Sequence, residues 1–254
     1  KALNNFYDSP QIDLLVNDDT IAIARLLPHI NFIHQFSYLK KKNNRWRQEK
    51  NLFKNIFRKY DLSINLTASD RSVIYSLISS KKSISAIEKD NFKSWWKKFL
   101  LTNYYYFDPE KHILINNSQP LDCLYIKYKN IQGSINISED VILVLRKKLK
   151  EKGINQFIIF HPSAQYNYKI YPKHLRNELL ENLTKLGVSI LITGSNNKID
   201  LKIKKEIPTS LNIFNFIGET SLEEYFALSY LSEAYIGMDT LNMHIAASQN
   251  KRIF

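Results

Sequence analysis

The sequence predicts an α/β fold of parallel strands returned by helices, on three observations. Short apolar runs such as Ile12–Val16, Phe157–Phe160 and Ser189–Thr193 recur at intervals filled by amphipathic stretches. Helix-start and helix-stop residues bracket those stretches, with Ser69, Ser138 and Ser221 in front and Gly153 and Gly187 behind. A chain of 254 residues also has room for two units of about 100–150 residues each.

In the first half, Ile12–Val16 reads as a strand, Thr20–Leu27 as a helix closed by Pro28, and Asn31–Ser37 as a strand. Asn44–Lys59 reads as a helix and Leu62–Leu66 as a strand. Asp70–Ser79 then forms a helix capped by Ser69 or Asp70. Periodicity fails between Ile87 and Gln132, where Trp95-Trp96 and Tyr104-Tyr105-Tyr106-Phe107 mix with Pro109 and Pro120, and the later part of this stretch is expected to connect two domains, 1–130 and 131–254.

Regularity returns with a Ser138-capped helix to Lys152, the Phe157–Phe160 strand, a Lys173–Leu186 helix and the Ser189–Thr193 strand. Leu175, Leu179, Leu183 and Leu186, with Leu180 beside them, are expected to pack the Lys173–Leu186 helix on the sheet. A Lys198–Ile207 helix, an Asn212–Ile217 strand, a Ser221-capped helix to Leu231, the Ala234–Met238 strand and a helix from about Asn242 complete the series. Arg252-Ile253-Phe254 reads as a strand just begun, and Lys1-Ala2-Leu3 as the tail of a helix, so both ends look cut.

Composition narrows the classes. Apolar residues make up 44% and aromatics 13%, with only 6 Gly and 7 Pro, which excludes collagen-like and disordered chains. No apolar run approaches the ~20 residues of a membrane span, and the polar start lacks a signal-peptide core. A single cysteine, Cys123, rules out an internal disulfide, so the cytoplasm is the default compartment. The net charge of +12 draws anions without choosing among nucleic acid, anionic membrane and phosphorylated substrate. Lys40 to Lys59 concentrates that charge: Lys40, Lys41, Lys42, Arg45, Arg47, Lys50, Lys54, Arg58 and Lys59 face only Glu49. This run reads either as a solvated helix face or as a surface for anionic lipid.

Two strand-to-helix loops carry candidate chemistry, because ligands of open α/β sheets bind beyond the carboxyl ends of strands. The loop from His161 to Pro172 contains Lys169, a compact cation suited to a diphosphate and otherwise a solvated lysine. The second loop runs Gly237-Met238-Asp239-Thr240-Leu241-Asn242-Met243-His244. There Asp239 or Thr240 can cap a helix whose free N–H groups face an anion, and His244 falls near the same mouth or in the core. Thr193-Gly194-Ser195 is a turn suited to close approach. Ile199-Asp200 and Glu223-Glu224 read as solvated helix faces.

The order and separation of the HPSA loop at 161–164 with its downstream lysine, ILITGS at 190–195, IGETSLEE at 217–224 and GMDTLNMHIAAS at 237–248 resemble glycosyltransferase family 9, the lipopolysaccharide heptosyltransferases. Gln11–Val16, Lys59–Thr67 and Arg71-Ser72 resemble the first half of that family. Leu241, Met243-His244 and Asn65-Leu66-Thr67 look more like enzymes adding the third, branch heptose. Ser163 stands where the family carries glycine, and Tyr171-Pro172 where it carries Trp-Pro.

The resemblance implies two Rossmann-like domains of GT-B type facing a cleft, acceptor side first. It implies transfer of heptose from ADP-heptose to a sugar hydroxyl of the lipopolysaccharide inner core, inverting the anomeric centre. No carboxylate-rich cluster or DxD-type match accompanies these residues, so no divalent ion or other cofactor is expected. The implied donor-binding residues are Lys169, Gly194, Thr220, Asp239, Thr240, Met243 and His244, and the acceptor-side residues are Arg71 and Ser72. The family's Gly-Asp turn, which supplies the proposed base, has no counterpart, so the catalytic base cannot be placed on any residue and the chain is expected to be nearly inactive. The implied partners are an ADP-sugar, a lipid A-core acceptor and an anionic membrane surface on the inner face of the bacterial inner membrane. A glycosyltransferase-like protein without catalysis, or a basic module binding nucleic acid, are the alternatives, and the second has only the charge behind it.

Overall fold

The computed structural model describes residues 1–37, 41–128, 135 and 137–254, with only the backbone of residues 41–43. Lys40 and the side chains of Lys41 and Lys42 therefore lie outside the described residues. The same holds for the expected domain boundary at 130/131. The chain forms two compact units, Lys1–Arg25 with His29–Ile131, and Leu26–Pro28 with Gln132–Phe254. Among the described residues no helix is long and apolar enough to cross a membrane.

The first unit contains α1 (Ala2–Phe6), β1 (Asp13–Asn17), α2 (Ile21–Ala24), β2 (Phe32–Phe36), α3 (Lys41–Ile56), β3 (Tyr60–Asn65), α4 (Asp70–Ser79), β4 (Ser80–Ile87), α5 (Trp95–Leu100), β5 (Asn103–Tyr106) and α6 (Ile113–Cys123). β1 pairs with β2, and β3-β4-β5 form a second sheet, all parallel. The expected Ser69 cap is present, its hydroxyl accepting from the Ser72 N–H at 3.3 Å.

Two strands here escape the hydrophobic pattern. β4 buries Ser80, Ser83 and Ser85, whose polarity disguises a central strand. Two of these hydroxyls are satisfied internally: Ser80 donates to Ser63 Oγ at 2.8 Å, and Ser85 accepts from Asn65 Nδ2 at 2.8 Å. β5 sits inside the aromatic run expected to be irregular, burying Tyr105 between exposed Tyr104 and Tyr106. Between Ile87 and Tyr128 the chain is thus largely regular, and α6 even carries Pro120 within it.

Lys97 of α5 is fully buried, an uncommon place for an ammonium group. It is paid for by three partners: Asp70 at 2.8 Å, Glu88 at 2.9 Å and the Ala68 carbonyl at 2.6 Å. This triangle ties α5 to the start of α4 and to the end of β4.

The second unit holds α7 (Glu139–Glu151), β6 (Phe157–His161), α8 (Lys173–Thr184), β7 (Ser189–Ile192), α9 (Lys198–Glu206), β8 (Ile213–Asn215), α10 (Leu222–Leu231), β9 (Ala234–Gly237), α11 (Leu241–Ser248) and β10 (Arg252–Ile253). Its parallel sheet has the order β10-β9-β6-β7-β8. Period-two alternation explains why β6 and β7 are apolar on both faces. Phe157, Ile159 and Leu191 pack with Leu145 and Leu149 of α7 and Leu228 of α10. Phe160, Ile190 and Ile192 turn the other way, onto Leu180 and Leu183 of α8 and Ile203 of α9. Gly153 and Gly187 adopt the expected left-handed conformation after α7 and α8, at φ +72° and +70°. Ser138 stands at the start of α7 but its side chain makes no capping bond.

The α8 stripe needs correction. Leu175 and Leu186 are exposed, and the inward face is Arg176, Leu179, Leu180 and Leu183. Arg176 buries its stem and places its guanidinium 3.2 Å from Glu206 of α9, so the helix is rotated toward an arginine that the pattern counts as polar.

Candidate functional site

Sheet order alone singles out one place in the second unit. From β6 the chain winds outward through β7 and β8, then crosses back to lay β9 on the other side of β6. The carboxyl ends of β6 and β9 therefore flank a topological switch point, where two successive connections leave in opposite directions and open a crevice. The two candidate loops leave from these ends.

Strand register sets His161, the last residue of β6, opposite Gly237, the last of β9. A Cβ on Gly237 would lie 2.6 Å from the His161 carbonyl oxygen and 2.7 Å from the Tyr235 hydroxyl, so only glycine allows this approach. The His161 imidazole is buried. The Asn242 amide nitrogen lies 2.8 Å from its Nδ1 and 3.1 Å from Nε2, Thr193 Oγ1 lies 3.1 Å from Nδ1, and Ser163 Oγ lies 3.3 Å from Nε2. One ring thus joins the ends of β6 and β7 to the first turn of α11. Burial pushes its pKa down to about 4, only partly opposed by the charge of Asp200 and a backbone hydrogen bond at Thr193. The ring is neutral at pH 7.

The loops leaving the ends of β6 and β9, the second with the first turn of α11, carry the expected residues Lys169, Asp239, Thr240, Met243 and His244. Lys169 closes a 3₁₀ turn, Asn167–Lys169, and its exposed ammonium has no ion-pair partner among the described residues. Asp239 and His244 are both exposed, with His244 Nε2 3.6 Å from Asp239 Oδ1. His244 is therefore not a core histidine. Thr240 is the N-cap residue of α11, yet neither its side chain nor that of Asp239 caps the helix, so the capping reading of Asp239 is not what the structure shows. The Thr240 hydroxyl instead lies 3.5 Å from that of Tyr235. Met243 leans inward onto the apolar cluster of α7 and α10.

Gly194 sits in the turn after β7, where a Cβ would meet Asp200 and Ile217 at 3.2 Å. Asp200 is buried, which corrects its reading as a solvated residue. Its Oδ2 accepts from the Ser195 N–H at 2.5 Å and the Ser195 hydroxyl at 2.8 Å, shaping the turn. Thr220 follows the left-handed Gly218 and precedes α10, whose start is a full capping box between Ser221 and Glu224. Glu224 is thus a cap residue, while Glu223 is solvated.

In the first unit, Arg71 is already engaged: its guanidinium lies 3.0 Å from Glu49, donates to Tyr75 Oη at 2.8 Å and 2.9 Å, and stacks 3.2 Å from the Phe36 ring centroid. The Ser72 hydroxyl accepts from Thr67 at 2.7 Å and from Asn65 Nδ2 at 3.1 Å. Among the described residues no three His, Cys, Asp or Glu side chains are grouped as metal ligands.

Residue type and spacing assign no role to His161 or Asn242 and put Asp200 on a solvated helix face. A histidine at a strand end before proline was visible, but its partner 81 positions away was not.

Solved structures place this architecture in a class. Over 96% of this chain and 70% of the other, the chain superposes with TM-score 0.77 and 17% identity on the family 9 glycosyl transferase of Veillonella parvula DSM 2008. Over 99% and 80% it superposes with TM-score 0.76 and 13% identity on E. coli heptosyltransferase WaaC with ADP. The fold is that of a GT-B glycosyltransferase. The sequence profile of glycosyltransferase family 9 (heptosyltransferase) matches residues 50–254, and the chain belongs to that family. It is also 26% identical over 259 residues to lipopolysaccharide heptosyltransferase 3 of E. coli strain K12, spanning 97% of this chain and 73% of the relative.

Proposed function

We propose that the chain moves a heptose from an ADP-heptose donor to a sugar hydroxyl of the lipopolysaccharide inner core, inverting the anomeric centre by direct displacement. The observation carrying this reading is the switch-point crevice of the second unit, where the loop after β6 carries Lys169, without an ion-pair partner among the described residues, and the loop after β9 leads into the first turn of α11. A departing ADP needs its developing phosphate charge stabilised, and a cation beside helix N–H groups supplies that. The solved relative named with ADP and the curated relative named heptosyltransferase 3 support donor and branch-heptose reading alike.

In this reading Lys169 and the N–H groups after Thr240 take the diphosphate, Asp239 and His244 face the sugar, and Gly194 and Thr220 border the nucleotide. Met243 backs the α11 turn from within the core. Arg71 and Ser72 lie on the acceptor side, where Arg71 acts through its contacts with Glu49 and Tyr75. The acceptor is lipid-borne, and the enzyme meets it at a membrane surface. A calorimetric donor screen with ADP, UDP and GDP, followed by transfer assays with the corresponding sugars, tests this. Preference for ADP over UDP and GDP is expected in the binding screen, with little transfer because no residue of the chain supplies the expected base, and equal or absent nucleotide binding overturns the donor assignment.

A further inference from the structure

All three tryptophans of the chain lie on two helices of the first unit, Trp46 on α3 and Trp95 and Trp96 on α5. Those helices are neighbours of α4. Leu52 and Ile56 of α3 pack with Tyr75 and Ile78 of α4, and Trp96 packs with Val73 and Leu77 of α4. With these inward contacts made, large aromatic side chains remain outside. Trp46 of α3 is 87% exposed, and Phe53 of α3 and Phe57, one residue past its end and still bonded to the Phe53 carbonyl, are exposed and stacked with ring centroids 4.8 Å apart.

The spacings of seven and four residues put these three rings on one side of the helix axis. Along α5 and the turn before it, Phe92 is 95% exposed, Phe99 80%, and Trp95 lies between them. Offsets of three and four residues again give one face. Ile74, on α4 between the two ridges, is exposed as well.

The charges beside these ridges are positive. Arg47, Lys50 and Lys54 are exposed on α3, where the carboxylate of Glu49 is already taken by Arg71 at 3.0 Å. Lys93 and Lys98 flank the second ridge, with Asp90 and Asp70 as the exposed acids beside it, Asp70 already held by Lys97 at 2.8 Å. Exposed tryptophan and phenylalanine interleaved with lysine and arginine match neither aqueous solvent nor a hydrophobic core. They match the interfacial layer of an anionic bilayer, where rings sit at headgroup depth and cations meet phosphate.

We infer that the outer face of α3, α4 and α5 docks on an anionic phospholipid surface, with the Trp46–Phe53–Phe57 and Phe92–Trp95–Phe99 ridges inserted at headgroup level. The inference gives the lipid-borne acceptor reading its contact surface and rests on that reading for its biological sense. Its physical case is the exposed face itself.

Tryptophan emission reports on this face directly. Equimolar phosphatidylethanolamine–phosphatidylglycerol vesicles should shift the emission of the full chain to the blue, shield it from acrylamide and sediment the protein. Phosphatidylcholine vesicles should do none of these, and salt should reverse the effect. Replacing Arg47, Lys50 and Lys54 with glutamine should lower partitioning by about a hundredfold. W46S/F53S/F57S should abolish the blue shift, with far-ultraviolet circular dichroism and ADP affinity unchanged.

The wild-type fluorescence comparison stands without any variant. Equal response to both vesicle types, no response, or a stable dimer that buries these tryptophans in place of lipid overturns the proposal. ADP titration of the same sample separates the two readings, because vesicle binding without ADP binding removes the donor assignment and leaves this surface standing.

Discussion

The Asn242 amide nitrogen and His161 Nδ1 lie 2.8 Å apart across 81 positions of sequence. The contact fastens the first turn of α11 to the end of β6, so the two halves of the candidate donor site share one buried ring. A donor on α11 therefore holds a histidine that is neutral and has no further obvious role.

Replacing Asn242 with aspartate keeps the shape and removes the N–H donor. It also sets a carboxylate against an imidazole that resists protonation. We expect a stability loss of about 1–3 kcal/mol and ADP affinity at least about tenfold weaker. Thermal unfolding and calorimetry check the two parts, and unchanged ADP affinity would mean that α11 needs no anchor at His161.

Lys169 is exposed and has no ion-pair partner among the described residues, so its removal leaves none of them uncompensated in the apoprotein. Lys169→Ala should leave the melting temperature unchanged and weaken ADP binding by about 1–3 kcal/mol, the range for one charge-assisted contact. Calorimetry showing the same ADP affinity in variant and wild type would remove Lys169 from the site.

Asp239 makes no capping bond, and its pairing with His244 is between exposed groups, an arrangement worth little in stability. Asp239→Asn should therefore melt within a degree or two of wild type while affinity for ADP-heptose falls. A marked drop in melting temperature with that affinity intact would restore a capping role.

Acid should loosen the second unit before carboxylates titrate. Burial holds His161 at about 4 against 6.5 for a free histidine, so between these values the unfolded chain takes up a proton that the native ring refuses. Stability from this group is complete above pH 6.5 and is lost as pH falls toward 4, by roughly 3 kcal/mol in all. In the first unit, burial of His34 acts in the same direction. Melting temperatures measured from pH 7 to pH 4 should fall, with a shallower slope in His161→Gln. A flat profile in the wild type would contradict the buried neutral ring.

The fold of the second unit was legible because its strands are apolar on both faces and its helices carry serine starts and glycine stops. The first unit was less so. β4 hides behind serines that satisfy one another through Ser63 and Asn65, a network that exists only once the strands and α4 are in place. α8 misled for a related reason, since Arg176 turns inward toward Glu206, a partner on a different helix.

In the candidate site, Lys169, Asp239 and His244 were visible as residue types at the ends of strands. The roles of His161 and Asp200 were not, because each is fixed by contacts to other loops or by burial. By residue type Asp200 is one more acid on an amphipathic helix, and only its contacts to the Ser195 N–H and hydroxyl set it apart.

The order β10-β9-β6-β7-β8 has a consequence for assembly in time. β6 reaches β7 by closing one helix-length loop, but it reaches β9 only after β7, α9, β8 and α10 have been traversed. That pairing carries the larger closure entropy and the higher contact order. The crevice between β6 and β9 is thus bounded by the most distant strand contact in the unit. On refolding, helical circular dichroism should recover ahead of ADP binding, and a nucleotide added early finds half a site.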